Sequence, residues 1–227
     1  MLAASSGSST TAREALSMLC TAYWYPLYVF LRRRGHAPQD AEDLTQGFFA
    51  VFLERGAIHS ADPGRGRFRS FLLTSLQHYV INEHHRGTAL KRGGASVYYG
   101  LELETAEGRY AIEPRDEETP ERAFDRRWAL TLLDRVFTRC KKEYELAGKA
   151  RLFASLSPLL TEGTTERPYA DLARDLETTE GAIKVAAHRL KDRYRRLLRD
   201  EVAETVSSPD EVDAEIKHLL AAVGGAR

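Results

Sequence analysis

The chain has 227 residues, 33 basic and 33 acidic side chains, and 43% hydrophobic residues. That length suits one or two domains with cores of their own, and a formal net charge of zero says nothing by itself about partners. Two cysteines, Cys20 and Cys140, lack zinc-ligand spacing and fall among apolar helical residues, where reduced buried thiols are expected rather than a disulfide framework.

No apolar run approaches membrane-spanning length, and Met1–Thr11 is rich in Ser and Thr without a charged-then-apolar signal pattern. A cytoplasmic protein with a disordered start over residues 1–11 is expected. The charges are segregated: basic residues gather at Arg32–Arg34, Arg65–Arg69, Arg86–Arg92 and Arg189–Arg199, acidic ones at Asp40–Asp43 and Glu102–Glu121. Such blocks suit one polyanionic partner and one protein partner.

Ala12–Arg34 reads as a helix dense in aromatics (Tyr23, Trp24, Tyr25, Tyr28, Phe30), kinked by Pro26 and ended by Gly35. Pro38 opens a second helix, Gln39–Glu54, with Leu44, Phe48, Val51 and Phe52 as the inward stripe. Asp40, Glu42 and Asp43 then lie at the positive end of its dipole, which has a purely structural explanation if taken alone. After a turn-rich basic loop, Asp62–Arg67, a third helix runs from Phe68 to Arg86 and stops at Gly87. Phe68, Phe71, Leu72, Leu76, Tyr79 and Val80 are expected inward, and Arg69, Gln77, His78, Asn82, His85 and Arg86 outward or at the edge. That mixture of amide, imidazole and guanidinium groups beside aromatics suits base edges and phosphates.

Ala89–Pro120 loses periodicity and reads as a polar linker. Thr119-Pro120 restarts order with a cap and a proline at the first helical position. The next helix, to about Leu146, has Phe124, Trp128, Leu132, Leu133, Val136, Cys140 and Tyr144 as its apolar side, and another follows near Lys149–Leu160. Pro168–Leu176 is a short helix, Glu177 and Thr178 a tight turn, and Thr179 the N-cap of a long basic helix to Asp200. Ile183, Ala187, Leu190, Tyr194 and Leu197 form its inner stripe, while Lys184, His188, Lys191 and Arg195 lie opposite. With Gly181, Ala182 and Ala186 keeping its start slim, this pattern is a helix-turn-helix, the alternative being a solvated basic surface helix. Ser208-Pro209-Asp210-Glu211 is a capping box that starts a tail helix striped by Val212, Ile216, Leu219, Leu220 and Val223.

An acidic helix, a basic–aromatic helix and a helix-turn-helix in this order resemble a bacterial RNA polymerase sigma factor of the extracytoplasmic-function (ECF) group. Asp40-Ala41-Glu42-Asp43-Leu44-Thr45-Gln46 with Phe48-Phe49 is similar to that family's core-polymerase-binding motif. Phe68-Arg69-Ser70-Phe71-Leu72 running to Asn82 and Arg86 is similar to its minus-ten-reading helix. Tyr169-Ala170-Asp171-Leu172-Ala173 with Glu180-Gly181-Ala182-Ile183-Lys184 is similar to its minus-thirty-five reader. The resemblance implies an all-α fold: region two over residues 12–92, an acidic linker over 93–120, region four over 121–206 and a further helix over 207–227. It implies that Asp40, Glu42, Asp43 and Gln46 face core polymerase, with Phe49 as an apolar anchor. Arg65, Arg67, Arg69, Gln77, His78, Asn82, His85 and Arg86 would hold the minus-ten strand. Thr179, Glu180, Gly181, Lys184, Val185, His188, Arg189 and Lys191 would meet the minus-thirty-five duplex. Core RNA polymerase and promoter DNA are the implied partners, an anti-sigma factor a further one, and no cofactor or metal is implied. Family members usually carry Asn where His78 stands and an acidic residue near Asn82. The segment Arg139–Thr165 is longer than the family's usual connection, and the tail helix is extra.

Two other readings compete. A helix-turn-helix regulator acting without core polymerase leaves the first hundred or so residues unexplained. A metal enzyme built on Glu83-His84-His85 and His78 fails on spacing, because adjacent histidines on a helix diverge by about 100 degrees. No nucleophile elbow is present, so catalysis is not indicated.

Overall fold

A computed structural model of the chain describes residues 23–54, 66–87, 103–111, 118–165 and 167–224. The described residues are all-α, with no strand among them. They divide into two compact units, Met1–Thr131 with Ala203–Arg227, and Leu132–Val202.

The first unit starts with a helix over residues 23–33 (α1), whose Trp24, Leu27, Tyr28, Phe30 and Leu31 are fully or almost fully buried. Gly35 ends it at φ 91°, with His36 N donating to Leu31 O at 3.2 Å and Gly35 N to Arg32 O at 3.1 Å. That pair of bonds satisfies two end carbonyls and needs a left-handed residue, which glycine adopts without a Cβ penalty. The Ala12–Ala22 portion of the expected helix, with Cys20, lies outside the described residues.

Pro38–Glu54 (α2) follows, then Phe68–Gly87 (α3). The buried stripe of α2 is Ala41, Thr45, Phe48, Phe49 and Phe52, rotated from the expected one, and Leu44 and Val51 are only half-buried. Thr45 is accommodated because its hydroxyl donates to Ala41 O at 2.7 Å, which satisfies the buried polar group. Where α2 meets α3, Gly47 lies against the Tyr79 hydroxyl, and a Cβ there would fall well inside van der Waals distance.

The segment expected to be linker contains a helix, Leu103–Ala111 (α4), fixed to α1 by polar contacts. Glu107 accepts from Tyr28 Oη at 2.5 Å and from Arg32 Nε and Nη2 at 3.1 and 2.9 Å. Hydrogen bonding to Arg32 holds the Glu107 carboxyl below its ordinary range, and burial pushes the Tyr28 hydroxyl well up. Arg32 also sits 4.8 Å from the Tyr110 ring centroid, and Arg109 3.9 Å from that of Tyr25. Pro120–Leu146 (α5) contributes its first turns, where Trp128 stacks on Tyr23 at 3.8 Å and meets Phe124 and Phe68 edge-tilted.

The second unit comprises the rest of α5, Ala150–Leu156 (α6), Pro158–Thr161 (α7), Tyr169–Asp175 (α8) and Glu180–Ala203 (α9) as far as Val202. Its core joins Val136 and Cys140 to Phe153, Leu156, Leu159, Leu172, Ile183, Ala187, Leu190 and Leu197. Each such large side chain contributes about 1.5–3 kcal/mol on burial. The single helix expected over Lys149–Leu160 is broken at Ser157, because Pro158 has no N–H and its ring clashes with the preceding turn. Gly148, at φ 68°, closes α5 just as Gly35 closes α1.

Between α8 and α9 the same closing bonds recur, from Thr178 N to Ala173 O at 2.9 Å and from Glu177 N to Arg174 O at 3.2 Å. Here the left-handed position is occupied by Glu177, at φ 52°, the one non-glycine with positive φ among the described residues. A left-handed non-glycine residue costs roughly 1–2 kcal/mol, partly offset in a glycine variant by the greater freedom of its unfolded chain. Glu177→Gly is therefore expected to stabilise the protein by about 0.5–1 kcal/mol, read as a raised denaturation midpoint at unchanged m-value.

Candidate functional site

Three surfaces carry the residues singled out by sequence. On α2, Asp40 and Asp43 are exposed and Glu42 is half-buried. Burial first, and Asp43 second, push the Glu42 carboxyl up, while Gln46 Nε2 donates to its Oε1 at 2.9 Å. Gln46 itself is 5% exposed and Phe49 0%, so neither presents a side chain to a partner. Gln46 orients Glu42. Phe49, expected as a surface anchor, packs against Phe48 at 5.4 Å in the core, since it follows Ala41 and Thr45 at positions i+8 and i+4 on the inward face.

On α3, His78, Asn82 and His85 are exposed and Gln77 is half-buried, with Ile81 adding an apolar patch at 54% exposure. Arg65 and the side chain of Arg86 lie outside the described residues. Arg69 departs from expectation: it is 7% exposed, on the same stripe as Leu72 and Leu76. Its Nε donates to Glu215 Oε1 at 2.7 Å and its Nη1 pairs with Asp125 Oδ1. Arg67, half-buried, reaches the other oxygen of Glu215 at 2.9 Å. Glu215 comes from a helix over Val212–Gly224 (α10), preceded by a 3-10 turn, Pro209–Glu211. The capping box takes a shifted form, in which Glu211 accepts from Ser207 N at 3.1 Å and the Ser208 side chain makes no cap bond.

On α9, Thr179 Oγ1 accepts from Ala182 N at 3.2 Å, which caps the helix as its sequence predicts. Thr179, Glu180, Gly181, Lys184, Val185, His188 and Arg189 are exposed and Lys191 is half-buried, so one face of the helix carries all eight toward solvent. Two of its basic side chains lie against carboxylates. Lys184 Nζ lies 2.7 Å from Glu180, whose hydrogen bond raises the ammonium pKa, and His188 Nδ1 lies 3.1 Å from Asp192. Arg193 points away from that face, bidentate to Glu143 of α5 at 2.6 and 2.7 Å.

Among the described residues no group of three His, Cys, Asp or Glu is arranged to hold a metal ion. Likewise, none of the described helices is long and apolar enough to cross a membrane.

The profile of Sigma-70 region 2 matches residues 21–89, which span α1, α2 and α3. The chain carries sigma-70 region 2. This supports a sigma-70 family RNA polymerase sigma factor, with a role in promoter recognition with RNA polymerase. No curated protein and no solved structure matches the chain. Region 2 thus contains both the acidic turn of α2 and the polar face of α3, whereas α4 to α10 lie beyond the matched residues.

The Arg193–Glu143 pair gives the second unit an acid-sensitive tie. Hydrogen bonding to Arg193 depresses the Glu143 pKa below its ordinary 4.5, so the contribution is complete above that value and is lost as pH falls through the lower folded one. Glu143→Gln is expected to lower the thermal midpoint near neutral pH, and the gap from the unsubstituted chain should close on acidification. Melts followed by circular dichroism across that range would show a pH-independent gap if the tie carries no stability.

Proposed function

We propose that the chain is a two-domain ECF-type sigma factor that binds core RNA polymerase and directs initiation at specific promoters. The observation carrying this reading is the region 2 match over residues 21–89, in which the carboxylates Asp40 and Asp43 stand exposed on one helix and a polar face on the next. Asp40, Asp43 and the half-buried Glu42 face basic residues of the polymerase, where complementary charge fixes register and speeds association. His78, Asn82 and His85, with Gln77 and the apolar Ile81 beside them, take bases of the opened minus-ten strand, by edge hydrogen bonds and stacking that offset the loss of base pairing.

The second unit serves as region four. Its short helix, capped turn and long helix have the order of a helix-turn-helix, and small residues at Gly181 and Ala182 let the start of α9 approach a groove. Lys184, His188 and Arg189 reach base edges or flanking phosphates, and Val185, half-exposed, suits a thymine methyl group. Free N–H groups at the capped start of α9 add a phosphate contact. An anti-sigma protein that covers the α2 carboxylates would switch such a factor off.

Two sets of variants test these assignments. Replacing Asp40 and Asp43 by Lys should weaken binding to core polymerase roughly tenfold at low salt, with an unchanged melting curve. Co-elution at undiminished affinity would remove α2 from the interface. In run-off transcription, Lys184→Ala and His188→Ala should change which promoters are used, each lost base contact costing about 1–3 kcal/mol. Arg195→Ala, which removes a charge further along the helix, should instead weaken binding evenly and lower the salt slope by about one. Identical behaviour of all three would mean that α9 does not read sequence.

A further inference from the structure

The exposed faces of α2, α3 and α9 are absorbed by the proposed function, but the pairing of half-buried Arg67 and buried Arg69 with the tail helix is not. Arg67 ends the basic loop that sequence assigns to nucleic acid, and Arg69 lies in the first turn of α3. Both are directed onto one carboxylate, Glu215, whose side chain is 1% exposed. Asp125 takes the remaining side of Arg69 and is itself met by His218 Nε2 at 3.0 Å, so α10 supplies two of the five members of this network. Hydrogen bonds also join the segments that lead into these helices: Phe68 N donates to Thr205 O at 2.9 Å and Gly66 N to Ser207 Oγ at 3.1 Å.

A carboxylate between two arginines presents the same acceptor geometry as a phosphate oxygen pair, and guanidinium forks bind either one. The contact to Arg67 is Coulombic rather than an aligned hydrogen bond, since Glu215 Oε2 has no hydrogen-bond partner although Arg67 Nε is 2.9 Å away. Few apolar groups reinforce it. Val212 and Leu219 are the hydrophobic side chains of α10 that are fully buried, and Leu220 is half-exposed. Docking of α10 therefore depends on a charge contact that a polyanion can replace.

We propose that α10 is an intramolecular latch on region 2. Glu215 occupies, between Arg67 and Arg69, the position of a phosphate of single-stranded DNA, so tail docking and strand binding exclude each other. The proposal rests on the reading of α3 as the strand-holding helix, and adds to it a control that lies in the same chain.

Binding of a labelled single-stranded oligonucleotide to the full chain, followed by fluorescence anisotropy over a salt series, tests it. Glu215→Gln keeps the shape of the side chain and removes its charge. It is expected to bind about tenfold more tightly at low salt, with a salt slope steeper by about 0.7 for the one phosphate gained. Adding Arg67→Ala and Arg69→Ala to that variant should return both quantities to those of the unsubstituted chain. A folded Glu215→Gln protein with unchanged affinity and slope overturns the latch. Should that variant fail to fold, hydrogen exchange on the unsubstituted chain decides: amides of Val212–Gly224 should exchange faster with the oligonucleotide at saturation, and unchanged or slower exchange overturns the proposal. His78→Ala and Asn82→Ala separate the two levels. If they leave strand affinity intact, or if no variant binds the oligonucleotide, the reading of α3 fails and takes the latch with it. If they weaken binding while Glu215→Gln and the exchange rates show no change, the latch alone fails.

Discussion

A carboxylate that is almost wholly removed from water, shared by two arginines, fixes where the start of α3 and the tail helix of the first unit meet. Leaving such a charge buried without its partner costs about 3–5 kcal/mol, whereas a well-packed apolar trio in the same place would be as stable or more so. What the ionic arrangement supplies is direction. Arg69 can satisfy Glu215 and Asp125 together only when α10 and the start of α5 both lie beside the first turn of α3. Aromatic stacking of Tyr23, Phe68, Phe124 and Trp128 fills the neighbouring space but would tolerate sliding, which fixed charge pairs do not.

Most helices were legible because their apolar residues recur at helical spacing and their ends carry proline, glycine or a capping hydroxyl. Gly35 and Thr179 behave as those signals require. Where structure and expectation part, position on the helix outweighs residue type. The charge of Arg69 argues for an outward position, but its spacing from Leu72 and Leu76 puts it on the buried side. The motif around Phe49 argues for an anchor at the surface, but its spacing from Ala41 and Thr45 puts it in the core. α4 was missed because Glu107, Arg109 and Tyr110 hold it through ion pairing and ring contacts, which leave no apolar period to find. The partner of Arg69 lies 146 residues away, and no local pattern announces such a pairing.

The two candidate recognition faces of region 2 differ in their electrostatic design. On α2 the exposed carboxylates Asp40 and Asp43 stand beside a third, Glu42, whose proton affinity is raised by burial and by Asp43, so the cluster favours a cationic surface. Among the described residues, the exposed polar side chains of α3 are hydroxyls, an amide and imidazoles. Such groups discriminate by hydrogen-bond direction, with little non-directional attraction for any polyanion that passes. Outside region 2, α9 reaches a comparable restraint by pairing Lys184 with Glu180 and His188 with Asp192.

Cys140 sits in the middle of the second core, where burial first, and the nearby Glu143 second, push its thiol up to about 11. Thiolate, not thiol, reacts with alkylating agents and oxidants, and a group so placed offers almost none of it. Modification at that sulfur therefore requires the surrounding helices to part. The residue is an internal clock for that event: the rate at which a reagent consumes it equals the opening rate of the second unit when reaction outpaces reclosing, and is proportional to the open population when it does not.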